Sequence, residues 1–448
     1  MQGRKLLALA LIACLAGTAW AKPEGKSSSK GAKSAKAESK KTSSRKTAAV
    51  VAAASVATAG GATLVKAAAP ATVRTPGTVS DSGPETQLVK IFAEIEANRL
   101  NEALQLTEAL LRQYPNYRLA NLIKGDLLLA RTQPIQNFGA LNGAPQEKIA
   151  DLRAEAIARL KGYREKPPKD FVPRYLLQMQ PDQRYAVVVD TKRSRLYLYE
   201  NDTANGGRPR FVADYYVTQG KLGAEKMAEG DKKTPIGVYH VTANLPKQKL
   251  ADLYGSGAFP LNYPNEWDKR QGRSGSGIWL HGTPSQQYAR APLASDGCVV
   301  MANPDLRQLL RKVQIGATPV VTARSLQWIS QPQAEKDAQS FTSAINAWKD
   351  ARTQGNEAQL KKFYLPDFQR QAKKSADGIS IVRDEVEYAQ GRRIQLKDVS
   401  YLHWRDSEDT MVATFGEVFE GERSGRMRRQ YWLRQGGEWK LFHEEILG

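Results

Sequence analysis

The apolar residues of this chain change their period at a pair of prolines, and that change limits the folds open to it. From Glu85 to Tyr163 they recur at spacings of three and four: Leu88, Ile91, Phe92 and Ile95, then Leu104, Leu106, Leu110 and Leu111. Such spacing predicts amphipathic helices. Asn98 and Asn101 punctuate the first two, and Pro115 stops the second. A third helix is expected from Asn116 to Arg131, and a fourth from Pro145 to Tyr163 with Ile149, Leu152, Ile157 and Leu160 inward. Pro167-Pro168 and Pro173 end the helical region. Beyond them the pattern is that of strands: two within Tyr185–Glu200, a turn at Asn205-Gly206-Gly207, then Phe211–Val217 and Val238–Val241. Many short strands with glycine-rich turns imply a β-sandwich or barrel-like core.

The line Asn303–Leu310 reads as a helix, and Gln331-Pro332-Gln333 as a boundary. After it, Ala334–Gln354 is expected to be a helix with Phe341, Ile345 and Trp348 on one face, and Asn356–Tyr364 a second. Strand-like runs follow at Leu396–Arg405, Thr410–Phe419, Met427–Arg434 and Trp439–Glu445. With 448 residues, 41% of them hydrophobic, there is material for two or three cores. The expected class is therefore α+β and multidomain.

The first 84 residues are of another kind. Arg4-Lys5, the apolar run from Leu6 to Trp20 and Ala19-Trp20-Ala21 read as a secretory signal cleaved after Ala21. Leu11-Ile12-Ala13-Cys14 offers the competing reading of a lipoprotein. Residues 22–84 are Lys, Ser, Ala, Thr and Gly, with eleven basic residues against three acids, so +8 of the net +20 lies here. A segment so poor in large apolar residues cannot offset its ordering entropy and is expected to be a flexible tether. In an exported chain it is expected to be a solubilising tail, or to meet wall carboxylates or anionic lipid headgroups, the last giving a peripheral membrane contact, rather than nucleic acid. The uncharged run Ala48–Val65 is mostly Ala, Gly, Ser and Thr, a linker rather than a span in lipid.

Chemistry concentrates between Ile278 and Asn303. Cys298 is the only cysteine outside the first twenty residues, so it is either an inert buried thiol or present for its thiolate. Ser295-Asp296-Gly297 precede it as a turn that can gather backbone amides, and His281 is the nearest histidine, followed by Gly282-Thr283. A cysteine with a histidine to take its proton is the equipment of acyl transfer. Other chemistries find little support. The four histidines show no metal-ligand spacing and no H-x-x-H or C-x-x-C occurs, so neither metal nor cofactor is expected. The run GRSGSG at 272–277 is not a dinucleotide fingerprint. The glycine- and aromatic-rich stretch Ala251–Gly277 is expected to be a loop, either a lid on the cleft or a surface decoration.

The strand ending in His281-Gly282-Thr283 and the Ser295-x-Gly297-Cys298 turn resemble the L,D-transpeptidase (YkuD) catalytic domain. RYAVVVDTKRSRLYLYE at 184–200 is similar to that family's opening hairpin, and Thr234-Pro235-Ile236-Gly237 to its TPxG segment. The resemblance covers residues 182–323. Asp296 stands where the family usually has histidine, and Val300 where it usually has Arg or Asn. The helical region 85–165 resembles, loosely, tetratricopeptide repeats, and is expected to dock a partner or to cap the catalytic domain. Residues 334–448 resemble the cone fold of the nuclear-transport-factor-2-like superfamily, with His403 and His443 as core or rim residues of its pocket. A catalytic domain with such a tail resembles the cell-shape carboxypeptidases of helical bacteria.

The resemblance implies an enzyme acting on peptidoglycan stem peptides. Cys298 would be the nucleophile, His281 the base, and the Gly282 carbonyl the group that orients the imidazole. Amides of Gly297 and Cys298 are candidate oxyanion donors, and Thr283, Ser295 and Asp296 candidate substrate contacts. Asp296 is expected to raise the pKa of both His281 and Cys298. The thioester would pass to an amine of a neighbouring stem, as in an L,D-transpeptidase, or to water, as in an L,D-carboxypeptidase. A retired wall-binding module is the reading of another class.

Overall fold

The computed structural model describes residues 83–140, 143–370, 378–389, 391–405 and 408–447. The leader and, apart from Gly83 and Pro84, the basic segment lie outside the described residues.

Four helices come first: α1 (Pro84–Glu96), α2 (Leu100–Gln113), α3 (Arg118–Leu129) and α4 (Gln146–Arg164). Pro84 occupies the first turn of α1, where its missing N–H costs nothing. Leu88, Ile91, Phe92 and Ile95 of α1 are buried with Leu110, Leu119, Ile123 and Leu160 in one cluster. Ile157 does not follow its neighbours inward and is exposed.

The proline-rich stretch after α4 forms strands rather than a spacer. β1 (Phe171–Pro173) and β2 (Leu176–Gln178) each join a strand far along the chain. The middle of the chain then supplies β3 (Tyr185–Asp190), β4 (Arg195–Asp202), β5 (Arg208–Gly220), β6 (Gly237–His240), β7 (Leu245–Pro246), β8 (Gly257–Pro260), a short α5 (Glu266–Arg270), β9 (Trp279–His281), β10 (Leu293–Ser295), β11 (Val299–Met301), α6 (Asn303–Leu310) and β12 (Pro319–Ala323). The strands run β6-β12-β3-β4-β5-β11-β9-β8-β7, with β10 alongside β5. β3 reads as an unbroken apolar run because both its faces are covered. Val187 and Val189 pack with Leu306, Leu309 and Val320, whereas Ala186 and Val188 join a cluster containing Trp404, Tyr431 and Phe442 of the C-terminal region.

β13 (Trp328–Ser330) pairs with β1, Phe171 opposite Ser330, and leads directly into α7 (Gln331–Thr353). Pro332 opens that helix instead of separating it from what precedes, because a proline fits the first helical turn. There follow α8 (Glu357–Lys361), β14 (Tyr364–Arg370), α9 (Gly378–Ala389), β15 (Ile394–Arg405), β16 (Asp409–Phe419), β17 (Arg426–Gln435) and β18 (Glu438–Leu447). Neither β14 nor α9 was expected; the proline in Tyr-Leu-Pro-Asp-Phe breaks the usual signal of a strand. The sheet order is β14-β18-β17-β16-β15-β2, so its sixth strand comes from before β3, with Leu176 opposite Leu402.

Helix α7 lays Phe341, Ile345 and Trp348 against Trp432 and Phe415 on this sheet. The interior also holds three arginines and three glutamates. Arg428 reaches Glu444 at 2.8 Å and Glu417 at 2.9 Å, Arg370 reaches Glu385 and Glu444 at 2.6 Å, and Arg352 reaches Glu385 at 2.6 Å. His403 and His443 do not share a pocket. His403 is tied to Asp409 on the neighbouring strand, and His443 faces Glu266 of α5. Among the described residues no helix is long and apolar enough to cross a membrane.

Candidate active site

His281 ends β9, which lies beside β11 in parallel with Val300 opposite His281. Cys298 immediately precedes β11, so the thiol and the imidazole are carried by neighbouring segments of the sheet. The imidazole is buried, and its Nδ1 lies 2.7 Å from the Gly282 carbonyl. A carbonyl only accepts, so Nδ1 carries the proton and Nε2 presents its lone pair. Burial, with the Arg290 guanidinium adding to it against the Gly282 bond, pushes His281 down to about 4. Burial likewise pushes the Cys298 thiol up; the Trp279 amide and Arg290 act against this, and Asp296 with it. The pair therefore rests as neutral thiol and neutral imidazole, the thiol directed at the Gly277 carbonyl at 3.3 Å.

The turn before Cys298 is braced from two sides. Gly297 has a φ of +128°, and a Cβ there would lie 2.8 Å from the Lys233 carbonyl, so only glycine fits. Thr234 donates its hydroxyl to the Gly297 carbonyl at 2.9 Å and accepts the Gly220 amide at 2.9 Å. Ser295 Oγ donates to the Cys298 carbonyl at 2.6 Å and accepts the Gly297 amide at 3.1 Å.

These bonds reassign several residues. The Gly297 amide, expected to face an oxyanion, is spent on Ser295. Ser295 and Thr283, expected to touch substrate, are buried scaffolding; Thr283 Oγ1 holds the Tyr288 carbonyl at 3.2 Å. Asp296 does reach solvent, its side chain 73% exposed and paired with Lys221 at 3.2 Å. It does not raise His281, whose shift is downward.

Two contributions were not read from the sequence. Asn303 accepts the Ser256 amide and donates to the Thr283 carbonyl, both at 2.8 Å, locking the residues after His281. The stretch 251–277, expected to be a loop, contributes a strand: Ala258 of β8 pairs with His281, and the Tyr254 ring meets the imidazole edge-on at 5.1 Å. The same stretch reaches the C-terminal sheet, where Trp267 packs on Phe442 at 5.5 Å.

The helical region, expected to dock a partner or to cap the domain that follows, does pack on that domain and clamps the loop between His281 and Cys298. Asn116 donates to the Ser285 carbonyl at 2.8 Å, and Tyr288 stacks on Tyr117 at 4.3 Å. Arg159 of α4 lies 4.1 Å over the Tyr216 ring, and Arg195 of β4 grips Glu85 of α1 at 2.7 and 2.9 Å.

Glu266, His443 and Glu445 bring ligand atoms within 4.8 Å of one another, a set of the right chemistry for a cation. Lys269 already meets Glu266 at 2.5 Å and Arg429 meets Glu445 at 3.5 Å, so the charge is largely compensated.

Comparison with known proteins follows the same division of the chain. No curated protein matches the sequence. Among solved structures, Bd1075 of Bdellovibrio bacteriovorus is 24% identical with a TM-score of 0.53, covering 62% of this chain and 98% of its own. That likeness is one of fold. The helical cell shape determining protein Pgp2 of Campylobacter jejuni is 23% identical with a TM-score of 0.49, covering 61% of this chain and 95% of its own. Residues 184–322 match the YkuD family, the L,D-transpeptidase catalytic domain, and in this chain they stand between a helical N-terminal region and an α+β C-terminal region.

Proposed function

We infer that this protein is a cysteine acyltransferase of peptidoglycan, acting on tetrapeptide stems at the residue in position three. The observation that supports this is the Nδ1–Gly282 bond, which leaves His281 Nε2 unprotonated on a strand next to the one that Cys298 precedes. In the reaction His281 Nε2 takes the thiol proton as Sγ attacks the stem carbonyl. With both groups neutral at rest, proton transfer accompanies attack rather than preceding it. The Cys298 amide is the donor this turn has left for the oxyanion. Collapse of the adduct breaks the peptide bond, returns the proton from His281 to the leaving amine of the terminal D-Ala and leaves a thioester on Cys298.

An amine from a neighbouring stem then displaces the thiol to give a cross-link or attachment at position three, the L,D-transpeptidase outcome. Hydrolysis to a tripeptide is the second reading, and exposed Asp296 beside the thiol favours it by repelling an acceptor's carboxylates. Export is part of the proposal, since the substrate lies outside the cytoplasm; cell fractionation tests it.

Incubating the purified protein with disaccharide-tetrapeptides and reading product masses decides between outcomes. Cross-linked dimers support transfer, and tripeptide alone supports hydrolysis. Cys298→Ala should abolish both, and a carbapenem should add one adduct mass to the wild type. Turnover persisting in Cys298→Ala would remove the thiol from the mechanism. A wild type that forms no adduct and no product would instead be a retired wall-binding module.

A further inference from the structure

The loop between β5 and β6 carries a lysine buried as deeply as a core side chain. Lys226 is 3% exposed, although its neighbours Met227 to Gly230 are exposed. A buried ammonium is costly unless it is paired and hydrogen-bonded. Here Nζ donates to Asp231 Oδ1 at 2.8 Å and to the Ala228 carbonyl at 2.9 Å. Asp231 is the hub of the loop. Besides the ammonium it accepts the amides of Met227 at 2.7 Å, Ala228 at 3.1 Å and Lys233 at 3.1 Å. Burial raises its pKa, yet Lys226 and these amides hold the carboxyl down to about 2. One carboxylate thus ties residues 226–233 into a knot.

The knot reaches the surroundings of Cys298 from two sides. On one, the Met227 carbonyl accepts the Ser274 amide at 3.0 Å. Gly275 follows, so close that a Cβ on it would stand 3.2 Å from Lys226 Cε and 3.2 Å from Glu229 Cα. Two residues on, the Gly277 carbonyl accepts the Cys298 thiol at 3.3 Å. On the other side, Lys233 gives its amide to Asp231 and sets its carbonyl 2.8 Å from the place of a Gly297 Cβ. The next residue, Thr234, bonds the Gly297 carbonyl. The same carboxylate therefore stands behind both the acceptor of the thiol and the turn that carries it.

We propose that Lys226 and Asp231 are positioning residues for Cys298: through Met227 and Ser274 on one side and Lys233 on the other, they hold the Gly277 carbonyl and the Gly297 turn in the arrangement that directs the resting thiol. Their effect on turnover rests on the acyl-transfer reading above; their effect on the thiol does not. Neither side chain bonds the reacting groups. Breaking the pair frees the Met227 and Lys233 amides, and the Gly277 carbonyl then shifts away from Sγ. A reacting group misplaced by about 1 Å costs about 10²-fold in rate. The loss falls on kcat, because the pair acts on the thiol and not on the substrate.

The test uses the purified full chain carrying Cys14→Ala, so that Cys298 is its only thiol, and compares it with Asp231→Asn, Lys226→Met and Lys226→Arg in the same background. Raman spectroscopy reads the S–H stretch, which a bond to a carbonyl lowers. In the parent it should lie below the value of a free thiol, and in Asp231→Asn and Lys226→Met it should rise toward that value. On a disaccharide-tetrapeptide, kcat should fall about 10- to 100-fold in these two variants, with KM within about twofold of the parent. Lys226→Arg, which keeps a cation for Asp231, should recover part of both changes. Lys226→Met keeps the apolar stem and serves if the asparagine variant does not fold. A folded asparagine or methionine variant with the parent's S–H stretch overturns the assignment, whatever its stability, as does one with the parent's kcat. A parent that turns over no tetrapeptide refutes the acyl-transfer reading, and the S–H stretch still decides whether the pair positions the thiol.

Discussion

Replacing Thr234 by valine isolates the brace between the Thr234-Pro235 segment and the nucleophile turn. Thr234 is 1% exposed, and its hydroxyl links the Gly220 amide and the Gly297 carbonyl, each at 2.9 Å. Valine fills nearly the same volume but leaves both backbone groups unmatched in a buried place. Each such group costs about 1–3 kcal/mol, and a carbonyl stands toward the low end because it keeps a second lone pair. Together they should lower unfolding free energy by about 2–4 kcal/mol, measured by urea titration. The freed Gly297 carbonyl also lets the Gly297–Cys298 peptide turn, which misaims the Cys298 amide. Loss of one oxyanion donor typically lowers kcat about 10²- to 10³-fold. Thr234→Ser, retaining the hydroxyl, should restore most of both quantities. A valine variant with wild-type turnover and unfolding within about 0.5 kcal/mol of the parent would refute the brace.

The pH profile of kcat/KM should show its acid limb near pH 4, because His281 must be neutral to act as base and burial holds it at about 4; the Arg290→Gln variant should move the limb upward, since Arg290 also depresses His281. Stability should follow the same sign: His281 and His240, the latter pushed to about 3 by burial and by Arg429, favour the fold above the unfolded value near 6.5, and their contribution is lost as pH falls through that window. Thermal unfolding between pH 7 and 4 checks this, and His240→Gln should flatten the curve. Arg428→Met should destabilise the protein by about 3–5 kcal/mol by leaving Glu385, Glu417 and Glu444 with one cation fewer; a change below about 1 kcal/mol in chemical denaturation would contradict it. Asp296→Asn should alter turnover of tetrapeptide by no more than about fivefold, because the exposed pair with Lys221 is worth about 0–1 kcal/mol.

Period and punctuation made the helices legible. Asn98, with a φ of +59°, closes α1 and Pro115 closes α2, as their residue types suggested. Asn303–Leu310 was readable as a helix for similar reasons. Cys298 and His281 were legible by scarcity and by motif, and β9 and β11 lie side by side. What escaped were bonds between segments far apart in sequence. Nothing local to Asn303 says that it ties down Thr283, and nothing local to Asn116 says that it holds Ser285. Arg290 had no motif around it, only a place on a loop whose path is set by Tyr216 and Thr218. The stretch 251–277 looked irregular because β8 is four residues long and flanked by glycine and proline; its partner strand, not its composition, makes it part of the sheet.

The sixth strand of the C-terminal sheet has a consequence for how such genes can be rearranged. β2 precedes the catalytic domain and β15 follows it, yet Leu176 and Leu402 pair directly. A recombination that joined a foreign tail after Ser330 would deliver a sheet whose edge was shaped for a strand its new host lacks. Likewise, excising the tail would strip Leu176 and Leu177 of their cover and leave an unpaired strand edge, a template for self-association. The catalytic domain and its cone can therefore be inherited only as a unit, and homologues that lack the tail should also lack the short strand ahead of the catalytic hairpin.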